Sequence, residues 1–483
     1  MVKIPNHNLC TVIVHQSCIM KIRDLLTLSL VIFVFCAMSA AAQNLRGLLL
    51  TVNSTADTRD ALSGDGICAD ANGRCTLRAA VEETNSNATR DAIIFDLPQP
   101  SVIELTFGEL MLVQSLDIVG PGARRLTIQR AAGTVNSRIF HTPQTQILVN
   151  IRSLTIRGGN DLFGGGLFVE TGGVVGLYDS VVTGNTGGIG GGIMSSGKLT
   201  IVRCLINSNT ASTTGGAIAQ VGSTHEMTIS NSTITGNTAS SAGAIYNEGS
   251  LLLVNDTITG NTGTQAVNSI LGGGQGTIRV LNTIIGRDPA LGNSLQGAFQ
   301  SAGNNIVTDA NGSTGFTNGV NGDQVSNNDI IDPLLGPLAD NGGQTDTLAL
   351  LPSSPAIKNG NACARTAQCP LLPGILFPSA RLDQRRFRRN PIGDKIDVGA
   401  LDTDSFSGSS IGSLGLLGIG SPASRYVGSS VMIVNPSTLE RRYTMVRTNG
   451  NVIFTNLPGA DAYVIEFRSK RSGILTPLVF AFD

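Results

Sequence analysis

TGNTGGIGGGIMSSGKLTIV, residues 183–202, holds three phrases that the chain repeats. Its opening TGNT returns at 235–238 and 259–262, as NSNT at 207–210, and as GGN at 158–160. Asn160, Asn185, Asn209, Asn237 and Asn261 are thereby spaced 25, 24, 28 and 24 residues apart. The second phrase, small residues ending in an apolar one, keeps step. GGGL ends at Leu167, GGGI at Ile193, GGAI at Ile218 and AGAI at Ile245, at intervals of 26, 25 and 27. Two phrases on one period mark a repeated structural unit.

The third phrase says what the unit is made of. SLTI (153–156), KLTI (198–201), EMTI (226–229) and LLLV (251–254) are short β-branched or aliphatic stretches punctuated by Gly and Asn, too short for helices. A coil of about 25 residues with two or three strands and no helix is one turn of a parallel β-helix. Stacking is expected to place Leu167, Ile193, Ile218 and Ile245 in one internal column. Such columns contribute about 25 cal/mol per Å² of apolar surface buried. The five Asn are expected at a corner, where their side chains tolerate left-handed backbone and bond to it. A stacked Asn ladder is worth about 0.5–1.5 kcal/mol per hydrogen bond. LDIVGPGARRLTI (116–128), LNTIIG (281–286) and NNIVTD (304–309) are weaker echoes that extend the solenoid to residues 93–350.

Composition agrees with this reading. The 483 residues include 59 Gly and no Trp, which suits close stacking of small side chains. A net charge of -1 gives no electrostatic reason to expect nucleic acid or an acidic membrane surface as partner. Lys21 and Arg23 precede the apolar run Leu25–Phe35, and Ala40, Ala41 and Ala42 follow. Residues 1–42 therefore read as a secretory signal peptide, the run being too short for a membrane span. A secreted or cell-surface location is expected, with no transmembrane segment in the mature chain. Export gives the cysteines meaning: Cys68 and Cys75 lie seven apart, and Cys363 and Cys369 six apart, so each pair is expected to form a local disulfide. Cys204, in VRCLI, reads as a buried small hydrophobe.

TVNSTADTRDALSGDGICADANGRCTLRAAVEETN, residues 51–85, resembles the CSLREA domain, an N-terminal module of exported bacterial repeat proteins. The naming hexapeptide stands as CTLRAA, Cys75 to Ala80, with Thr76 and Ala79 departing from the type. Read as residues, TLRAAVEETN is a short amphipathic helix with Leu77, Ala80 and Val81 on one face. It is expected to cap the first coil, since an open solenoid end templates aggregation. DPLLGPLADNGGQTDTLALLPSSPAI and DQRRFRRNPIGDKIDVGALD, within residues 332–402, are similar to the C-terminal region of the choice-of-anchor family. Lys358 and Asn359 depart from its pattern, as does Arg386, where the family has Gly. The resemblance implies a region that closes the helix. RTNGNVIFTNLPGADAYVIEFRSKR, residues 447–471, is similar to the second half of carboxypeptidase-regulatory-like β-sandwiches, which are noncatalytic; Asn449, Gly450 and Asn451 read as its hairpin turn.

The expected fold class is all-β: a right-handed parallel β-helix with a short N-terminal capping helix and a small C-terminal β-sandwich. Its expected divisions are a signal peptide (1–42), an N-terminal module (43–92), the β-helix (93–350), a closing region (351–404), a Ser/Gly-rich linker (405–421) and the sandwich (422–483).

Parallel β-helices host polysaccharide lyases and hydrolases that use clustered carboxylates with Arg or Lys beside them. The clear coils offer scattered charges: Arg152, Arg157, Asp161, Asp179, Lys198, Arg203, Glu226 and Asp256. No two carboxylates recur one period apart beside a base. Asp179 and Arg203, 24 apart, read as a surface ion pair between coils. GDGICADANG (64–73), with Asp65, Asp70 and Asn72, reads as Asx turns rather than the twelve-residue Ca²⁺ loop, and His141 and His225 stand isolated. No catalytic residue, metal site or cofactor is expected, Ca²⁺ being the weak alternative. The expected function is a noncatalytic, monomeric, exported scaffold for adhesion or glycan binding, its partner a polysaccharide or a host or neighbouring cell surface. The alternative is a polysaccharide lyase or glycoside hydrolase working in a groove of the β-helix, with residues supplied by loops 262–275 or 287–330.

Overall fold

The chain turns at corners held by residues in left-handed backbone, many of them Gly or Asn. Val174–Tyr178 lies on one face of the solenoid, face A; Asp179 then takes a left-handed φ of 51°, and Val181–Thr183 begins face B. Gly184 (φ 62°) turns the chain into the short strand Thr186–Ile189, and Gly190 (φ 67°) turns it into Ile193–Ser195 on face C. Lys198–Val202 returns to face A one lap on. The computed structural model describes residues 47–403 apart from 144–145, 266, 275, 287–292, 328–330, 367–368 and 390, together with strands at 430–434, 441–445, 463–469, 473–474 and 478–480.

Parallel pairing of each strand with its counterpart one lap away builds a solenoid of about eight turns. Three apolar columns point inward. Val175, Leu199, Met227, Leu251 and Ile278 align on face A. Val182, Ile206, Ile234, Ile258 and Ile285 align on face B. Leu167, Ile193, Ile218, Ile245 and Ile270 align on face C. All belong to one continuous core, and each buried side chain contributes about 1.5–3 kcal/mol.

The stack begins and ends elsewhere than its sequence echoes suggest. Leu49–Val52 already pairs with Asp91–Phe95, inside the segment read as the N-terminal module. The last parallel pairing joins Ile306–Val307 to Gln324–Val325, and Leu335–Ala339 pairs antiparallel with Thr347–Leu350. Helix α1, Leu77–Asn85, starts at Thr76, whose side chain accepts from the Ala79 N–H. Its Leu77, Ala80 and Val81 join the core. Far along the chain, Phe316 packs on Phe299, ring centroids 5.3 Å apart, and against the same core.

Residues 335–403 therefore do not end the solenoid as a plug. They run back over the corner between faces A and B as a strap. Asn361 N donates to Asn282 Oδ1, Ala400 N to Thr257 Oγ1, and Arg389 to Asn231 Oδ1. Gln384 Nε2 donates to the Cys204 carbonyl, Arg386 pairs with Asp179, and Arg124 reaches Gly343 O and Asp346. The anchors at 282, 257, 231, 204, 179 and 124 descend the stack, passing over the lap of Ser153. The cause lies in the corner itself: Ser153, Asp179, Arg203, Asn231, Asn255, Asn282 and Asn304 form a left-handed column, φ 50–58°. Polar groups on a column are satisfied by chain laid lengthwise, not by chain across the end.

Both disulfides are formed, Cys68–Cys75 and Cys363–Cys369, and Cys204 is free and buried. Burial pushes the Cys204 thiol up to about 12. The C-terminal strands make an antiparallel sheet in the order 441–445, 430–434, 463–469, 473–474, with 478–480 also pairing with 463–469. The segments read as a signal peptide (1–42) and a linker (405–421), and the turn expected at 449–451, lie outside the described residues. Among the described residues, no helix is long and apolar enough to cross a membrane.

Candidate functional site

Alternation along the three-residue strands of face C sends one side chain per lap outward. Met111, His141, Phe168, Met194, Ala219 and Tyr246 form this outer column. On three consecutive laps it gathers charge. His141 lies between Glu109, one lap before, and Glu170, one lap after. Its Nδ1 is 3.0 Å from Glu109 Oε1 and its Nε2 is 2.9 Å from Glu170 Oε1. Arg138 pairs with Glu109 Oε2 at 3.1 Å and with Asp161 Oδ1 at 2.6 Å. Phe168 backs the cluster: the imidazole stacks on it at 5.2 Å, the Arg138 guanidinium lies 5.0 Å from its centroid, and Phe163 packs at 6.0 Å.

The electrostatics favour charge over proton traffic. Burial opposes the imidazolium, but hydrogen bonds to Glu109 and Glu170 outweigh it and raise the His141 pKa above 6.5. Burial likewise opposes the Glu109 carboxylate, but His141 and Arg138 hold its pKa below 4.5. A glycosidase acid needs its carboxyl pushed up, as a buried, unpaired group is. Glu109 is pushed the other way, and both imidazole nitrogens are engaged. The cluster is suited to presenting fixed charges and an aromatic face.

The sequence alone leaves His141 isolated; the fold brings Glu109 and Glu170 to it. The lap before Phe140 is longer: Leu110 aligns with Phe140, 30 residues on, and Phe140 with Leu167, 27 on. Extending the inward column back to Phe140 and Leu110 is the signal that would have brought Glu109, His141 and Glu170 together.

The Asn column holds with one correction. Asn185 Nδ2 donates to Asn209 Oδ1, Asn209 to Asn237 and Asn237 to Asn261, at 2.9, 3.0 and 2.9 Å. Each Oδ1 also accepts a backbone N–H from the lap before. Asn160 is not a member; it is a strand residue aligned with Thr186. Gly159 takes the ladder position and donates its N–H to Asn185 Oδ1 at 3.0 Å. No side chain fits there, since a Cβ on Gly159 would lie 1.8 Å from the Gly165 carbonyl oxygen. Matching GGN to TGNT by its Asn slipped the frame by one residue.

Asp179 and Arg203 are paired, but not at the surface. Asp179 is 1% exposed and receives both Arg203 and Arg386, each through Nε and Nη2. Burial opposes its charge, yet the two guanidinium groups hold its pKa far below the usual carboxylate value. The Asp65 and Asp70 loop forms Asx turns: Asp65 Oδ1 accepts from Ile67 N, and Asp70 Oδ1 from Asn72 N and Arg74 N. Asp70 Oδ2 is taken by Thr58 and Arg74. Among the described residues no group of three His, Cys, Asp or Glu is placed to hold a metal ion. No protein-family model, curated protein or solved structure matches the chain.

Proposed function

We propose that the protein is a noncatalytic scaffold, exported to the cell surface or secreted, that binds glycan along the outer column of face C. The Glu109–His141–Glu170 cluster on Phe168 carries this reading. Glycan recognition combines a flat apolar surface with a few fixed polar groups, and Phe168 with the charges around it supplies both. Tyr246, three laps after Phe168, continues the column. Strands locked into a stack lose little further freedom on binding, so contact energy is not spent on ordering. Two disulfides support an oxidising location. The resemblances to export-associated, noncatalytic modules point the same way. The test is a glycan array on residues 43–483, with and without Ca²⁺, followed by incubation of the retained polymers. Binding without cleavage is expected, and a Phe168→Ala/His141→Ala double variant should lose about tenfold in affinity. A blank array would end the proposal.

A second reading, a polysaccharide lyase or glycoside hydrolase, is favoured by one observation: two carboxylates flank an imidazole with an Arg beside them. It requires release of new chain ends from pectin, alginate or a similar polymer, abolished by Glu170→Gln. That outcome would replace the scaffold reading.

A further inference from the structure

Away from the face C cluster, the strap roofs part of face A. Phe377 and Leu372 pack on Leu252, Val254 and Leu281. Beside this contact a cleft of about 500 Å³ opens between the strands and residues 374–378. Its floor takes side chains from four successive laps: Thr200, Thr228, Leu252 and Arg279 align in one column, and Lys198, Glu226 and Ser250 lie beside them. Lys198 and Glu226 neutralise each other at 2.7 Å. Arg279 makes no hydrogen bond or ion pair among the described residues. Leu376, 78% exposed, stands at the rim.

We infer that this cleft is a second ligand site, which takes a carboxylate-bearing stretch of an acidic glycan with Arg279 as its anion contact. The ligand class rests on the glycan reading above; the site and the charge requirement do not. A half-buried guanidinium with no partner is a planar fork of donors suited to a carboxylate. Laps lie about 4.8 Å apart, so the floor extends about 14 Å along the solenoid axis, which suits a linear chain better than a compact solute. A peptide strand has no place to add. The strands Lys198–Val202, Glu226–Ser230, Ser250–Val254 and Ile278–Leu281 are each paired on both sides, and strand addition needs an open edge. The hydroxyls of Thr200, Thr228 and Ser250 can donate to and accept from sugar hydroxyls, while Leu252 and Leu376 offer apolar contact.

The experiment is calorimetric titration of residues 43–483 with trigalacturonate and with its neutral methyl ester, in which each carboxylate is replaced by an uncharged ester. The acid should bind about tenfold more tightly than the ester, with the gap shrinking as salt is added. Arg279→Gln should bring the acid down to the ester's affinity, and Arg279→Lys should retain part of the gap. Arg279→Gln must melt with the parent protein, because it removes no hydrogen bond or ion pair among the described residues. Equal binding of acid and ester, or a gap that survives Arg279→Gln, overturns the site. If neutral glycans bind the array through face C while the acid shows no preference, only this inference falls. If nothing binds in either assay, the glycan reading has failed with it.

Discussion

Asn209 shows what one side chain does in a stacked coil. Its Oδ1 accepts from the backbone and side chain of Asn185, and its Nδ2 donates to Val182 O and Asn237 Oδ1. Asn209→Ala strands several buried polar groups at once and should cost about 3 kcal/mol, read from the denaturation midpoint. Asn160→Ala, one residue off the ladder, should stay within about 0.5 kcal/mol. Equal losses at the two positions would contradict the ladder. The His141 cluster predicts a pH signature. Its imidazole pKa is raised, so the stabilisation is complete below the ordinary value of 6.5 and is lost as pH rises through the folded-state value. Thermal melts should therefore fall with pH in the parent protein above 6.5 and flatten in His141→Asn. Glu109 has the opposite sign: its contribution is present above 4.5 and is lost as pH drops through the depressed value.

At the scale of the element, α1 depends on two fixings. Thr76 caps its start and also donates to Thr58 O, and Thr76→Ala should cost about 1 kcal/mol. Arg78 forms a buried ion pair with Asp57 and donates to the carbonyls of Gly108 and Glu109. Asp57 in turn accepts from the N–H groups of Thr106 and Phe107. Arg78→Ala leaves that carboxylate buried without its partner, at a cost of about 3–5 kcal/mol. Hydrogen exchange should show the loss first in Leu49–Val52, the strand beneath the helix, before the central coils. Simultaneous loss throughout the stack would show that α1 is not a local cover. This helix was legible in TLRAAVEETN because its apolar face and N-cap are local features. The coil beneath it was not, because Leu49–Val52 pairs with a strand 43 residues on.

Over the whole molecule, the strap binds the stack lengthwise, and its firmest contact is Asp179 between Arg203 and Arg386. Asp179→Asn should destabilise by about 3–5 kcal/mol, since two guanidinium groups lose their common partner. With the Asp179 pKa depressed, this contribution is present above 3.8 and disappears as pH falls through the folded value. Arg386→Gln should raise hydrogen exchange in residues 381–389 while leaving the coils protected; uniform loss would mean that strap and coils unfold as one. Arg386 has a left-handed φ of 68°. Its side chain reaches Asp179, 207 residues away.

The period of the repeats, the inward Ile column, most of the Asn ladder, the amphipathic helix and the pairing of near-neighbour cysteines were all present in the linear order of residues. Each depends on spacing along the chain or on a short local pattern, and a solenoid turns constant spacing into contact. The strap over the A–B corner, the seating of Arg386 on Asp179, the Glu109–His141–Glu170 cluster and the cleft at Arg279 were decided by tertiary structure alone. They join residues whose separations follow no constant period, either because laps vary in length or because the chain doubles back across many laps.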